Sequence, residues 1–183
     1  MVRESSLVEK QDLLSKGEIS ILLDTYDDIF SDFDPRPYSQ RALSDDFLIE
    51  AKKAARDKEG TFELRFLAPK EHRNFEHEML IKKRLRDHFK KHTLLLEKEI
   101  KSVKKKGILM ALAGVAMIII ATFLLSTKSD SFLTHFLIVI LEPAGWFTAW
   151  TGLDEIYYTT RSKKPDYDFY FKMTNSEIHF ISY

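Results

Sequence analysis

Gly107-Ile-Leu-Met-Ala-Leu-Ala-Gly-Val-Ala-Met-Ile-Ile-Ile-Ala-Thr-Phe-Leu-Leu-Ser126 contains no charged residue. At about 1.5 Å per residue a helix of this length spans roughly 30 Å, the thickness of a bilayer's hydrocarbon core. A polar break follows, Thr127-Lys128-Ser129-Asp130-Ser131, and then a second apolar segment, Phe132 to Gly152, interrupted only by Glu142 and Pro143. A backbone in lipid must satisfy its own hydrogen bonds, so both segments read as helices, and residues 107–158 read as a two-helix transmembrane hairpin.

The rest of the chain is polar enough to fold in water. The 183 residues carry 28 basic and 28 acidic side chains, a formal net charge of zero. That balance argues against a nucleic-acid protein, which would present a basic domain or stripe. There is no cysteine, hence neither a disulfide framework nor a thiolate metal site. The polar start, Met1-Val-Arg-Glu-Ser-Ser6, has no apolar core of a signal peptide. Basic residues crowd both flanks of the hairpin: Lys90, Lys91, Lys98, Lys101 and Lys104–Lys106 before it, Arg161, Lys163 and Lys164 after it. The connecting loop offers only Lys128. The positive-inside rule then puts both termini in the cytoplasm of a multi-pass protein of the inner (cytoplasmic) membrane.

Around the hairpin the expected order is strand, helix, strand, helix, then two strands. Residues 1–17 form an N-terminal arm, with Leu7, Leu13 and Leu14 as docking points. Glu18–Thr25 reads as a strand after Gly17, and Tyr26–Tyr38 as an acidic, aromatic connection broken by Pro35 and Pro37. A helix is expected from Ser39 to about Asp57, ended by Glu59-Gly60, and an alternating strand from Thr61 to Ala68, closed by Pro69. From Asn74 to Lys106 there is neither glycine nor proline. Ile81, Leu85, Phe89, Leu96, Ile100 and Val103, with His92 in the gap, mark one face of a helix that runs into the first span, together on the order of 75 Å. Ser162–Pro165 reads as a linker. Tyr167–Met173 and Glu177–Tyr183 alternate and read as a β-hairpin turning at Thr174-Asn175-Ser176. The fold class is thus an α+β membrane protein. Residues 18–106 make a cytoplasmic α/β sandwich with a long juxtamembrane helix, 159–183 complete it, and the order permits a ferredoxin-like arrangement.

The proline loop Phe33-Asp-Pro-Arg-Pro-Tyr38 with Arg41-Ala-Leu43, the strand ending in proline and the basic helix feeding two spans resemble an uncharacterised bacterial family of two-span membrane proteins. Leu141-Glu-Pro-Ala-Gly-Trp-Phe-Thr-Ala-Trp150 is similar to a Gly-Trp…Trp pattern near the end of that family's second span. Its members carry Asp-Pro-Ser-Pro-Phe where this chain has Asp34-Pro-Arg-Pro-Tyr38. The resemblance implies a bacterial source and a topology; it implies no activity.

Glu142 is the sharpest anomaly. A carboxyl group inside an apolar span costs roughly 2–3 kcal/mol on insertion scales and usually faces protein or water. It is either a pore-lining or proton-accepting group, or a protonated acid bonded to another helix, or part of a break that ends the span early. Gly145, Ala149 and Gly152, like Gly107, Ala111 and Gly114, make small-residue faces. One hairpin shields Glu142 poorly, so these faces are expected to pack between subunits rather than within one hairpin. Trp146, Trp150, Tyr157 and Tyr158 lie towards the cytoplasmic end of the second span, where Tyr157 and Tyr158 suit an interfacial belt. Lys104–Lys106 serve as an orientation signal and would attract anionic lipid. His88 and His92 have metal-ligand spacing, but no further ligand completes a set. Asp24, Asp27, Asp28, Asp32 and Asp34 follow a strand end, yet Tyr26 stands where a second catalytic aspartate would be. No cofactor or catalytic set is expected. The reading is a non-enzymatic, homo-oligomeric membrane scaffold whose partners are lipid and itself; the alternative is a small channel or transporter gated by the cytoplasmic domain, with Glu142 in the path.

Overall fold

The computed structural model describes residues 19–56, 63–127 and 129–183. The expected arm, Glu18, the helix end at Asp57 to Gly60, Thr61 and Lys128 lie outside them. The chain forms two compact units, one of residues up to Thr93 with Asp168–Tyr183, the other Leu94–Tyr167.

In the first unit, β1 (Ile19–Leu22), β2 (Glu63–Ala68) and β3 (Glu177–Ser182) make a sheet in the order β1-β2-β3. Both pairings are parallel: Ile19 lies opposite Leu64, and Leu64 opposite Ile178. A ferredoxin-like sheet would need antiparallel neighbours, so that arrangement is replaced. Parallel neighbours require crossovers. The first is α1 (Asp45–Arg56); the second contains everything from α2 (Phe75–Ser126) through α3 (Phe132–Asp154) to α4 (Thr160–Thr174). The apolar hairpin is therefore an insertion in a βαβ crossover.

The period-2 pattern of the strands sends Ile19, Leu23, Leu64, Phe66, Ile178 and Phe180 into one core. Phe47, Ala51 and Ala55 of α1 fill it, at steps of four along one helix face. Ile81, Leu85 and Phe89 of α2 join them, with no exposed surface. Each such side chain contributes about 1.5–3 kcal/mol on burial. Phe169 and Met173 of α4 complete the core, Phe169 edge-on to Phe89 at 6.2 Å.

Two expectations change at the chain's end. Tyr167–Met173 is helix, not strand, and Ser162–Pro165 lies inside α4 rather than in a linker. The alternation Tyr167, Phe169, Phe171, Met173 is real, but Phe169, Tyr170 and Met173 also satisfy a helical period, and the surface offered by Phe89 selects it. Thr174–Ser176 is the end of that helix, its N–H groups bonded back to Phe171, Lys172 and Met173, and β3 pairs with β2 instead of with a hairpin partner.

α1 also begins later than expected. Asp34 accepts the Ala42 N–H at 2.6 Å and Phe30 bridges Leu43, which holds residues 39–43 in a loop. Asp45 and Asp46 then open the helix, where carboxylates favour its dipole.

In the second unit, α2 and α3 are each long and apolar enough to cross a membrane. Their most apolar windows are only 11% and 6% buried within the chain. Neither helix is buried within the chain as a core helix would be.

Candidate functional site

The small residues of the two apolar helices face each other. A Cβ on Gly114 would lie 2.5 Å from the Gly145 carbonyl oxygen and collide with Ala149 N; one on Gly152 would lie 2.5 Å from both Ala111 N and the Gly107 carbonyl. Gly145 meets Gly114 and Ile118 in the same way, and Gly107 meets Ile156 and Gly152. Glycines seven apart on each helix let two antiparallel backbones touch along a seam. The expectation that these faces pack between subunits is thereby corrected. Gly107, Ala111, Gly114, Gly145, Ala149 and Gly152 are consumed within one hairpin, because each glycine finds its complement one loop away. The stripe along α2 also finds cover inside the chain: Leu96, Ile100 and Val103 are half-buried.

Glu142 is exposed on α3, away from any hydrogen bond or ion pair among the described residues. Pro143 follows it, within the helix. Having no N–H, Pro143 leaves the Val139 carbonyl without its helical partner. A carboxyl group and a freed carbonyl thus stand together midway along an apolar surface.

On α3 the residues Phe147, Trp150, Thr151 and Asp154 lie about half a turn from the glycine seam, and Tyr157 and Tyr158 continue their face. They line a groove of about 440 Å³. Glu155–Thr159 forms one turn of π-helix, a feature common at functional sites. Tyr157 and Tyr158 sit edge to face at 5.1 Å, and Arg161 Nη1 donates to the Tyr157 hydroxyl at 2.9 Å. Trp150, Tyr157 and Tyr158 thus share one site, whereas Trp146, also exposed, is outside its lining. Lys104, Lys105 and Lys106 are exposed on α2.

In the first unit the polar clusters serve the fold. Asp28 accepts the Asp24 and Thr25 N–H groups at 2.8 and 3.0 Å. Asp27 pairs with Arg41, and Asp34 takes the Arg36 guanidinium at 2.7 and 2.8 Å. That guanidinium and the Ala42 N–H hold the Asp34 carboxyl far below the usual range. Asp27, Asp28 and Asp34 are thus tying down their own loop.

Glu78, 4% exposed, anchors a network that spans the unit. Tyr26 donates to Glu78 Oε1 at 2.9 Å and accepts the Asn74 N–H at 2.9 Å. Arg73 forks onto both Glu78 oxygens at 2.8 and 2.9 Å and reaches Ser182 Oγ at 2.8 Å. Burial alone would raise the Glu78 carboxyl; the Arg73 and Tyr26 bonds outweigh it and hold it below its ordinary value.

The His88 and His92 rings lie 4.3 Å apart, centre to centre, tilted by 34°, and His92 lies flat on Tyr170 at 5.0 Å. Among the described residues no third ligand group joins this pair. Burial pushes His88 down to about 4, helped by the charges of His92, Arg84 and Lys91.

A further cluster depends on strand register and was invisible in sequence. β2 against β3 puts Glu63 opposite Glu177 and Arg65 opposite His179, so Glu63, Glu177 and His179 bring ligand atoms within 4.8 Å of one another. Arg65 already pairs with Glu63 at 2.7 Å, which supplies the positive charge a cation would bring.

No known protein family, characterised protein or solved structure matches the chain. What the geometry defines is a class: an α+β chain with a small three-stranded parallel sheet and two long apolar helices packed as a hairpin.

Proposed function

We propose that this chain is an integral membrane protein with two spans, its α/β unit and both termini on the cytoplasmic side of a bacterial inner membrane, acting as a self-associating, non-enzymatic scaffold. The observation that carries the membrane reading is the outward apolar surface of α2 and α3. Ile108, Leu112, Ile119, Phe123, Phe136 and Val139 are all at least half exposed, far more than a water-soluble monomer presents contiguously. In lipid that surface costs nothing.

Self-association rests on Glu142. With the glycine seam and the α2 stripe used inside one chain, this carboxyl group is the feature left wanting a partner. A neighbouring copy would offer a second carboxyl for hydrogen bonding in the apolar layer. The test is the detergent-corrected mass by light scattering. The proposal expects a multiple of 21.4 kDa for the wild type and a shift toward the single chain for Glu142→Leu. A wild-type mass of one chain overturns it.

The second reading is a channel or transporter, favoured by the freed Val139 carbonyl beside Glu142, since backbone oxygens and a carboxylate together suit a cation path. Conductance of reconstituted liposomes that changes in Glu142→Gln would favour it over the scaffold.

A further inference from the structure

From the distribution of ion pairs along the flanks of the hairpin, we infer a binding surface for anionic phospholipid at Lys104, Lys105 and Lys106, an inference that rests on the membrane reading above. Earlier on α2 the charges are mixed: Lys101 donates to Glu97 at 2.6 Å, and Lys163 of α4 donates to Glu99 at 2.5 Å. Lys104, Lys105 and Lys106 are exposed and form no ion pair among the described residues. Their own helix supplies no acid, because the positions three and four residues to either side are apolar, glycine, serine or lysine. The neighbouring helix supplies none either. Gly107 meets Ile156 and Glu99 meets Lys163, so residues 157–162 run alongside residues 100–106. Those residues are Tyr-Tyr-Thr-Thr-Arg-Ser. Arg161 adds one more positive charge, which its bond to the neutral Tyr157 hydroxyl does not cancel. Asp154 and Glu155 lie beyond Ile156, beside the start of the first apolar stretch, and the four cations outnumber them.

Three ammonium groups within one turn of helix repel one another, and an anion between them relieves that. The surface that adjoins them selects which anion. Ile108, Leu109 and Leu112 follow directly and are 53, 67 and 61% exposed. Lysine stems lie along apolar surface of this kind and carry their ammonium groups to its edge. A phosphodiester anion on acyl chains covers both, the headgroup on the lysines and the chains on the apolar residues. A nucleic acid or a polyphosphate matches the charge and leaves the apolar surface in water. A zwitterionic lipid brings a cation of its own to a place that already holds four. Anionic headgroups attract basic residues beside a span, and three within one turn act together.

The full chain, purified in detergent, is titrated with phosphatidylglycerol and with phosphatidylcholine of matched acyl chains, and retained lipid is counted by native mass spectrometry. The wild type should hold the anionic lipid about tenfold more tightly. The triple variant Lys104→Gln, Lys105→Gln, Lys106→Gln should bring that ratio close to unity, and arginine at the same three positions should restore it. Lys90→Gln, Lys91→Gln, Lys98→Gln removes three other exposed lysines and changes the net charge equally; it should leave the ratio as it is. Inorganic polyphosphate at equal phosphate concentration should not displace the retained lipid. Equal retention of the two lipids, a preference that survives the first variant, a preference lost as fully in the second, no restoration by arginine, or displacement by polyphosphate would each overturn the surface. Alkaline carbonate extraction of membranes separates the two claims. Chain that stays in the pellet yet shows no headgroup preference refutes this inference alone; chain released to the supernatant refutes the membrane reading with it.

Discussion

Glu78 keeps its charge in the interior because three neighbours were built around it: the Tyr26 hydroxyl, the Arg73 fork and, through Arg73, Ser182. Tyr26→Phe removes one donor to a buried carboxylate and the acceptor of the Asn74 N–H. It should destabilise the α/β unit by about 1–3 kcal/mol, read as a shifted urea midpoint with an unchanged slope. Glu78 and His88 then act in the same direction on acidification. Glu78, lowered in the fold, contributes stability that is full above its unfolded value and is lost as pH falls through the carboxylate range. His88, held neutral by burial, stays unprotonated in the fold while the unfolded chain takes up a proton below about 6.5, so stability declines between there and about 4. His88→Phe keeps a ring in place and removes the buried Nε2 that has no partner among the described residues. It should flatten the loss between pH 6.5 and 4 in urea melts; a slope equal to the wild type would show that His88 does not titrate as argued. None of this was legible in the sequence. The acidic run of residues 24–34 was visible, but which aspartates cap, which pair with arginine and which stay free depends on where Arg36, Arg41 and the Ala42 amide arrive. Nor does the sequence set Glu78 apart from the other acids of a charged helix.

At the scale of elements, the glycine seam makes a prediction whose sign separates packing from propensity. Alanine is the better helix former by about 1 kcal/mol, so Gly114→Ala would stabilise an open helix. Here the new Cβ would meet the backbone of α3, at Ala149 and at the Gly145 carbonyl, and the helices must part. The variant should lower the thermal midpoint of the chain in detergent by several degrees; a raised midpoint would mean the seam is open. The seam's residues were legible as small faces at spacings of four and three, and both apolar helices were legible from length and lack of charge. Their destination was not. A face of glycines says only that some backbone comes close. That the second helix folds back in register with the first is a property of three-dimensional arrangement. The misread of Tyr167–Met173 has a related cause. Seven residues rich in aromatics satisfy periods of 2 and of 3.6 together, and Pro165 suggested a break, yet the helix runs on through it. Tertiary contact with Phe89 decided what local pattern left open.

For the whole molecule, the insertion of the apolar hairpin in a βαβ crossover ties the far ends of the chain together. β3 completes a sheet begun at Ile19, and Phe180 packs on Phe66 at 5.1 Å. Three short strands are stable only as a set, so removal of Asn175–Tyr183 should cost the α/β unit its protease resistance. Survival of a resistant core would show the first two strands to be sufficient. In the membrane reading proposed above, that connectivity puts both flanks of the hairpin on one side of the bilayer and the connection between the two spans on the other. Because the chain has no cysteine, single cysteines report this without a background. Ser102→Cys, Asp130→Cys and Ser162→Cys are each expressed alone and treated in intact cells with a membrane-impermeant maleimide, before and after permeabilisation. The account predicts that the cysteine at 130 is labelled at once and those at 102 and 162 only after the membrane is opened. Equal labelling of all three positions before permeabilisation, or labelling of 102 and 162 on opposite sides, would contradict it.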